Sequence, residues 1–159
     1  MLWIGLDSDS PTVLTRNDSE TLTPLLEAAG ARGVPVMLPN GDAQDLDTVK
    51  PADIFVGGGD AQIKASRRYN ADQIVSVWVT STRARWSANW SLLSAKGVTQ
   101  QWQSDGDSAA YALASGIQHL ADFEAAQFAP RGSGSTALTE TIVEGDGVQS
   151  LADYAHVLN

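Results

Sequence analysis

The clearest alternation of apolar and polar positions lies in the middle of the chain. From Gln73 to Thr82 the residues are largely apolar and β-branched, among them Ile74, Val75, Val77 and Val79. That is the pattern of a strand near the centre of a sheet, covered on both faces. Arg85–Leu93 alternates, with Trp86, Ala88, Trp90 and Leu92 on one side and Ser87, Asn89 and Ser91 on the other. Ser94-Ala95-Lys96-Gly97 reads as a hairpin loop, and Val98–Gln103 as a further strand carrying Trp102. Together these predict an antiparallel meander of three strands.

Before the meander, Leu2–Leu6 reads as a short buried strand that ends at Asp7-Ser8-Asp9-Ser10-Pro11. Asn17-Asp18-Ser19-Glu20 offers capping residues, and Leu22, Leu25, Leu26 and Ala29 then recur at helical spacing. Pro24 belongs in a first turn, which puts the helix start as late as Thr21 or Thr23, and Gly30 and Gly33 end it. Val34–Leu38 reads as a second strand, Pro39-Asn40-Gly41 as a turn, and Asp42–Lys50 as a polar segment with one short helical turn. Ile54-Phe55-Val56 is a brief apolar run leading to Gly57-Gly58-Gly59, a flexible strand-to-helix turn. With Asp60 as cap, Ala61–Tyr69 forms a helix that buries Ile63 and Tyr69.

After the meander, Asp105 or Asp107 caps the longest helix, 108–128, with Leu113, Ile117, Leu120 and Phe128 as its core stripe. Small residues at Ala110, Ala114, Ala121 and Ala125 let it lie close to the sheet. Two strand-helix units, a meander and a closing helix make an α/β fold with a mixed sheet and helices packed on it. This domain is expected over 1–129. Residues 130–136, with Pro130-Arg131-Gly132-Ser133-Gly134-Ser135, read as a linker. In 137–159, a strand (Leu138–Val143), a Gly145-Asp146-Gly147 turn and a helix opened by Ser150 read as the beginning of a second, truncated domain. A lone strand and two helical turns bury too little by themselves, so this tail either stays loose or pairs with another copy of the chain.

Composition narrows the function classes. Apolar residues make up 43% and charged residues 18%, which is a globular balance rather than a disordered one. The net charge of −9 comes with scattered bases, apart from Arg67-Arg68 and Arg83/Arg85, so the basic face that nucleic acid requires is not expected. The chain has no Cys, which excludes disulfides, thiolate metal sites and Cys nucleophiles. No apolar run approaches the length of a membrane span. Met1 leads straight into Leu2-Trp3-Ile4-Gly5-Leu6 without a basic leader, and a chain that starts inside a strand reads as one cut from a longer protein.

Several segments together resemble a known family. These are Leu25-Leu26-Glu27-Ala28-Ala29, Gly33-Val34-Pro35-Val36-Met37-Leu38-Pro39, Ala52-Asp53, Arg68-Tyr69-Asn70-Ala71-Asp72, Trp90-Ser91-Leu92-Leu93, the Trp102 strand and Gly147-Val148-Gln149-Ser150-Leu151-Ala152-Asp153-Tyr154. The pattern is similar to an uncharacterised bacterial family catalogued as domain of unknown function 2066. The resemblance implies an exported, periplasmic protein with a signal peptide upstream and a further C-terminal region. It implies no activity, and Val56 through Gly59 depart from the family's aromatic or acidic helix-opening segment. A cytoplasmic location is the alternative.

Five groups of residues invite a chemical reading. Asp7 and Asp9 directly after an apolar strand are placed like the paired carboxylates of haloacid dehalogenase-type phosphohydrolases, where one attacks phosphorus and the other acts as acid and base beside Mg²⁺. Gly58-Gly59-Asp60 faintly matches their later metal-binding Asp. The rest of that pattern is missing: Pro39-Asn40 ends the second predicted strand without a Ser or Thr, and Lys50 lies too near Asp60. Asp7-Ser8-Asp9 as a strand-ending turn is the plainer reading. Gly57-Gly58-Gly59 has neither a P-loop lysine nor the spacing of a dinucleotide loop. Trp86, Trp90 and Trp102 fall on alternating positions of neighbouring strands, either as an exposed ladder for sugar rings or as core beneath the 108–128 helix. His119 and His156, the two histidines, fall in different helices and fit surface or packing roles better than zinc. Asp42, Asp45, Asp47 and Asp53 miss the spacing of a calcium loop and read as a solvated acidic loop.

The sequence thus names no catalytic residue, metal ligand or cofactor-binding residue. It leads to a non-enzymatic exported module that binds another protein or a cell-envelope component. The rival readings are a metal-dependent phosphohydrolase using Asp7 and Asp9 and a carbohydrate-binding module using the Trp ladder.

Overall fold

The computed structural model describes residues 1–82 and 85–128; the predicted linker and the 137–159 strand, turn and helix lie outside the described residues. Five strands form one mixed sheet in the order β2-β1-β3-β4-β5: β1 Leu2–Leu6, β2 Thr12–Leu14, β3 Ile74–Thr82, β4 Arg85–Ser94 and β5 Gly97–Gly106. β1 and β3 run parallel, Ile4 opposite Val77, while β3–β4–β5 is the expected antiparallel meander, Trp90 standing between Val77 and Trp102. The segment between β1 and β3 supplies β2 and four helices, α1 Ser19–Ala31, α2 Ala43–Thr48, α3 Pro51–Val56 and α4 Asp60–Ser66. A 3-10 turn, Arg67–Tyr69, follows α4, and α5, Ala109–Phe128, closes the described chain.

Strand alternation divides the apolar side chains between two layers. On one face Leu2, Ile4, Val75, Val77, Val79, Ala88, Trp90 and Leu92 meet Leu22, Leu25 and Ala29 of α1 and Leu113, Ile117 and Leu120 of α5. On the other, Trp3 and Val13 pack with Val49, with Ile54 of α3 and with Ala65 of α4, and Trp78 borders them. β1 and β3 are therefore covered on both sides, as the near-continuous apolar run of β3 requires. Two glycines let indole rings approach the backbone closely. A Cβ on Gly116 of α5 would lie 2.1 Å from the Trp90 indole, and one on Gly5 would lie 2.4 Å from the Trp78 ring.

Several local expectations are corrected. Val34–Leu38 is not a strand: Pro35 and Pro39 have no N–H to donate, and the segment's one backbone bond to β1 is Leu2 N–H to the Met37 carbonyl, 2.9 Å. The sheet's fifth strand is instead β2, which pairs antiparallel with β1. α1 begins at Ser19, with Pro24 inside it, and Asp18 turns back to accept from Thr15 N–H at 2.7 Å instead of capping the helix. Ile54-Phe55-Val56 is helical, because Pro51 at the first turn and Asp53, which accepts from Lys50 N–H at 2.8 Å, nucleate α3 there. Gly57–Gly59 consequently joins two helices, with Gly57 and Gly59 at positive φ. The buried side of α4 is Gln62, Ala65 and Ser66 rather than Ile63, since Gln62 reaches Ser76 and Ser66 accepts from the Trp3 indole N–H. Ser108, not Asp105 or Asp107, caps α5, its Oγ accepting from Tyr111 N–H at 3.2 Å.

Candidate functional site

The Trp ladder packs beneath α5, with Trp90 in the core and Trp86 and Trp102 partly buried against it. Trp90 and Trp102 stack with centroids 5.5 Å apart at 15°, and Trp90 is 1% exposed. The Trp90 indole N–H donates to Ser104 Oγ, whose hydroxyl donates to the Ala112 carbonyl of α5, and Trp102 donates to the Gly116 carbonyl. Each indole is thereby tied under α5, and Trp86 packs against the same cluster. A sugar ring has no access to the Trp90 face.

Asp7 and Asp9 are exposed at the end of β1, where Asp7 N–H continues the ladder to the Val79 carbonyl and Ser8 Oγ donates to the Ser10 carbonyl. This is the turn geometry anticipated for the segment. Among the described residues no group of three acidic or histidine side chains is placed to hold a metal ion, so Asp60 is not gathered with Asp7 and Asp9. His119 is exposed on α5, and His156 lies outside the described residues.

The acidic loop differs from the expectation. Asp45 is fully buried and at the centre of a polar cluster, not solvated. Its Oδ2 accepts from the Tyr69 hydroxyl at 2.5 Å and from Gly41 N–H at 3.2 Å, and its Oδ1 from Arg68 at 3.2 Å. Arg68 also grips Asp42 with two nitrogens, at 2.8 and 2.6 Å, while Asp42 Oδ1 caps α2 by accepting from Asp45 N–H. The Tyr69 oxygen accepts in turn from Asn40 N–H at 3.0 Å. The Arg68 hydrogen bond, then that of the Asp45 amide, draws the Asp42 carboxyl down to about 2 from 3.8. Burial pushes the Tyr69 phenol up, and the bond to Asp42 pushes the Arg68 guanidinium up. Both Asp45 oxygens are occupied, so the cluster pins the 40–45 loop to the 3-10 turn and leaves that carboxylate no reason to bind a substrate. Asp47 is exposed beside Lys50, and Asp53 serves α3, so the four aspartates form no common site.

The most distinctive exposed feature is the C-terminal end of α3. Phe55 is 67% and Val56 78% exposed, although neighbouring Ile54 is core. Phe55 stands edge-on to Trp78, with ring centroids 5.3 Å apart at 62°. Trp78 opposes Asn89, and Asn89 opposes Gln103, so a row runs from the Phe55–Trp78 pair across the sheet to exposed amides. Gln103 and Gln101 donate to Ser87 and Ser91 on the same face. Sequence reading passed over this feature because an apolar triplet before three glycines looks like a strand end. The Pro51 and Asp53 spacing was the available signal for a helix.

The chain matches no family model, no curated protein and no solved structure. No described helix is long and apolar enough to cross a membrane.

Proposed function

We propose that the protein is a non-enzymatic module that binds another protein through the tip of α3 and the amide row beside it. The observation that carries this reading is the exposure of Phe55 and Val56 on a backbone that is fixed from both ends. Lys50, Pro51 and Asp53 start the helix, Ile54 anchors it in the core, and Gly57 stops it in the left-handed region. Two large apolar side chains held this way are ordered before a partner arrives, so association loses little further entropy. Asn89, Gln101 and Gln103 then offer donors and acceptors to a polypeptide lying along the open sheet face. The resemblance to the exported bacterial family supports placing this interaction in the periplasm, with an envelope protein as partner.

A photo-crosslinking residue in place of Val56 or Asn89, in the full chain in its native host, tests the reading. The same adduct is expected from both positions, lost with Phe55→Ser, and none from Glu27 on the opposite helix layer. Equal labelling from Glu27, or none from position 56, would overturn it. Hydrolysis of a chromogenic phosphate ester with Mg²⁺ that disappears in Asp7→Asn would replace it with the phosphohydrolase reading.

A further inference from the structure

β5 forms an edge of the sheet, ten residues long, with Val98, Thr99, Gln101, Gln103 and Asp105 exposed. Edge strands of this length are usually protected by proline, by lysine or by a covering element, because their free backbone groups template another strand. β5 contains no Pro and no Lys, and among the described residues its neighbours are β4 along one edge and α5 on one face. One irregularity opposite Leu92 and Leu93 disturbs only its first residues and leaves Gln100–Gly106 regular.

We propose that two copies of this chain join through β5, antiparallel across a twofold axis near Gln101–Gln103, making one continuous ten-stranded sheet. Charge selects both the occupant and the direction. The hairpin that begins β5 carries Lys96, and its other end carries Asp105 and Asp107. Antiparallel self-pairing brings the Lys96 end of each copy toward the acidic end of the other, twice by symmetry. Parallel pairing would set Asp105 against Asp105. The middle of the strand, Gln100-Gln101-Trp102-Gln103, is uncharged and meets itself without conflict. An isologous contact of this kind closes on itself and does not run on into fibres.

The absence of cysteine makes the test clean. Single-cysteine variants Gln101→Cys, Gln103→Cys and, as control, Glu27→Cys are oxidised at equal concentration, with mass read by light scattering for the unaltered chain. Expected are a dimer mass and disulfide dimers forming many-fold faster at position 101 or 103 than at 27. Lys96→Asp should weaken dimerisation about tenfold, and adding Asp105→Lys with Asp107→Lys should restore it. A monomer at all concentrations would overturn the proposal. So would a dimer that crosslinks at neither β5 position, since it joins elsewhere.

Discussion

Trp90→Ala is expected to cost about 3–5 kcal/mol of unfolding free energy. The indole is 1% exposed, stacks on Trp102 and lies against Gly116, so alanine leaves a cavity between β4 and α5. The mutation also removes the donor to Ser104 Oγ, while Ser104 keeps its own bond to the Ala112 carbonyl. Relaxation is limited, because Gly116 has no side chain to move into the space and α5 is held elsewhere by Leu113, Ile117 and Leu120. A domain with about 5–15 kcal/mol in total loses a large fraction of its margin. Urea unfolding followed by circular dichroism measures the loss, and Trp86→Ala, which removes a less buried indole, should cost distinctly less. Equal costs for the two would show that α5 does not cover the ladder unevenly as described.

Asp45→Ala is expected to cost a similar amount, about 3–5 kcal/mol, for a different reason. The carboxylate is fully buried and accepts from Arg68, Tyr69 and Gly41; alanine leaves the Tyr69 hydroxyl and the Gly41 N–H without this acceptor, while Arg68 keeps only Asp42. Asp45→Asn keeps the shape and one acceptor oxygen, and should lose about 1–3 kcal/mol. The same cluster sets a pH response. The Asp42 carboxyl is lower when folded than its ordinary 3.8, so its bond to Arg68 stabilises above that value and is lost as pH falls toward about 2. Thermal melting of Asp42→Asn and of the unaltered chain should converge as pH drops through that window. Melting curves that stay equally far apart below it would contradict the ion pair.

How much was legible in the sequence followed from the range of the interactions. β3, β4 and β5 were readable because a period of two is written in neighbouring residues, and α5 because Leu113, Ile117 and Leu120 mark a helical stripe. β2 was missed, since three residues with only Val13 and Leu14 buried give no alternation to count. Val34–Leu38 misled because its apolar side chains do pack against the core, while Pro35 and Pro39 deny it a ladder. The burial of Asp45 was illegible in principle, as its partners Arg68 and Tyr69 lie more than twenty residues on. Phe55 and Val56 looked like interior residues, and only the helical turn of α3 shows that they point away from Ile54.

Iodide quenching of intrinsic tryptophan fluorescence is the most direct test that the indoles are built into the two apolar layers of the sheet, Trp90 with Trp86 and Trp102 beneath α5 and Trp3 with Trp78 on the opposite face. Trp3 and Trp90 are buried and the other three indoles are partly covered. Emission should therefore be blue-shifted, with quenching several-fold weaker than in urea. Emission at the wavelength of free tryptophan, quenched as readily in the folded chain as in the unfolded one, would contradict the account.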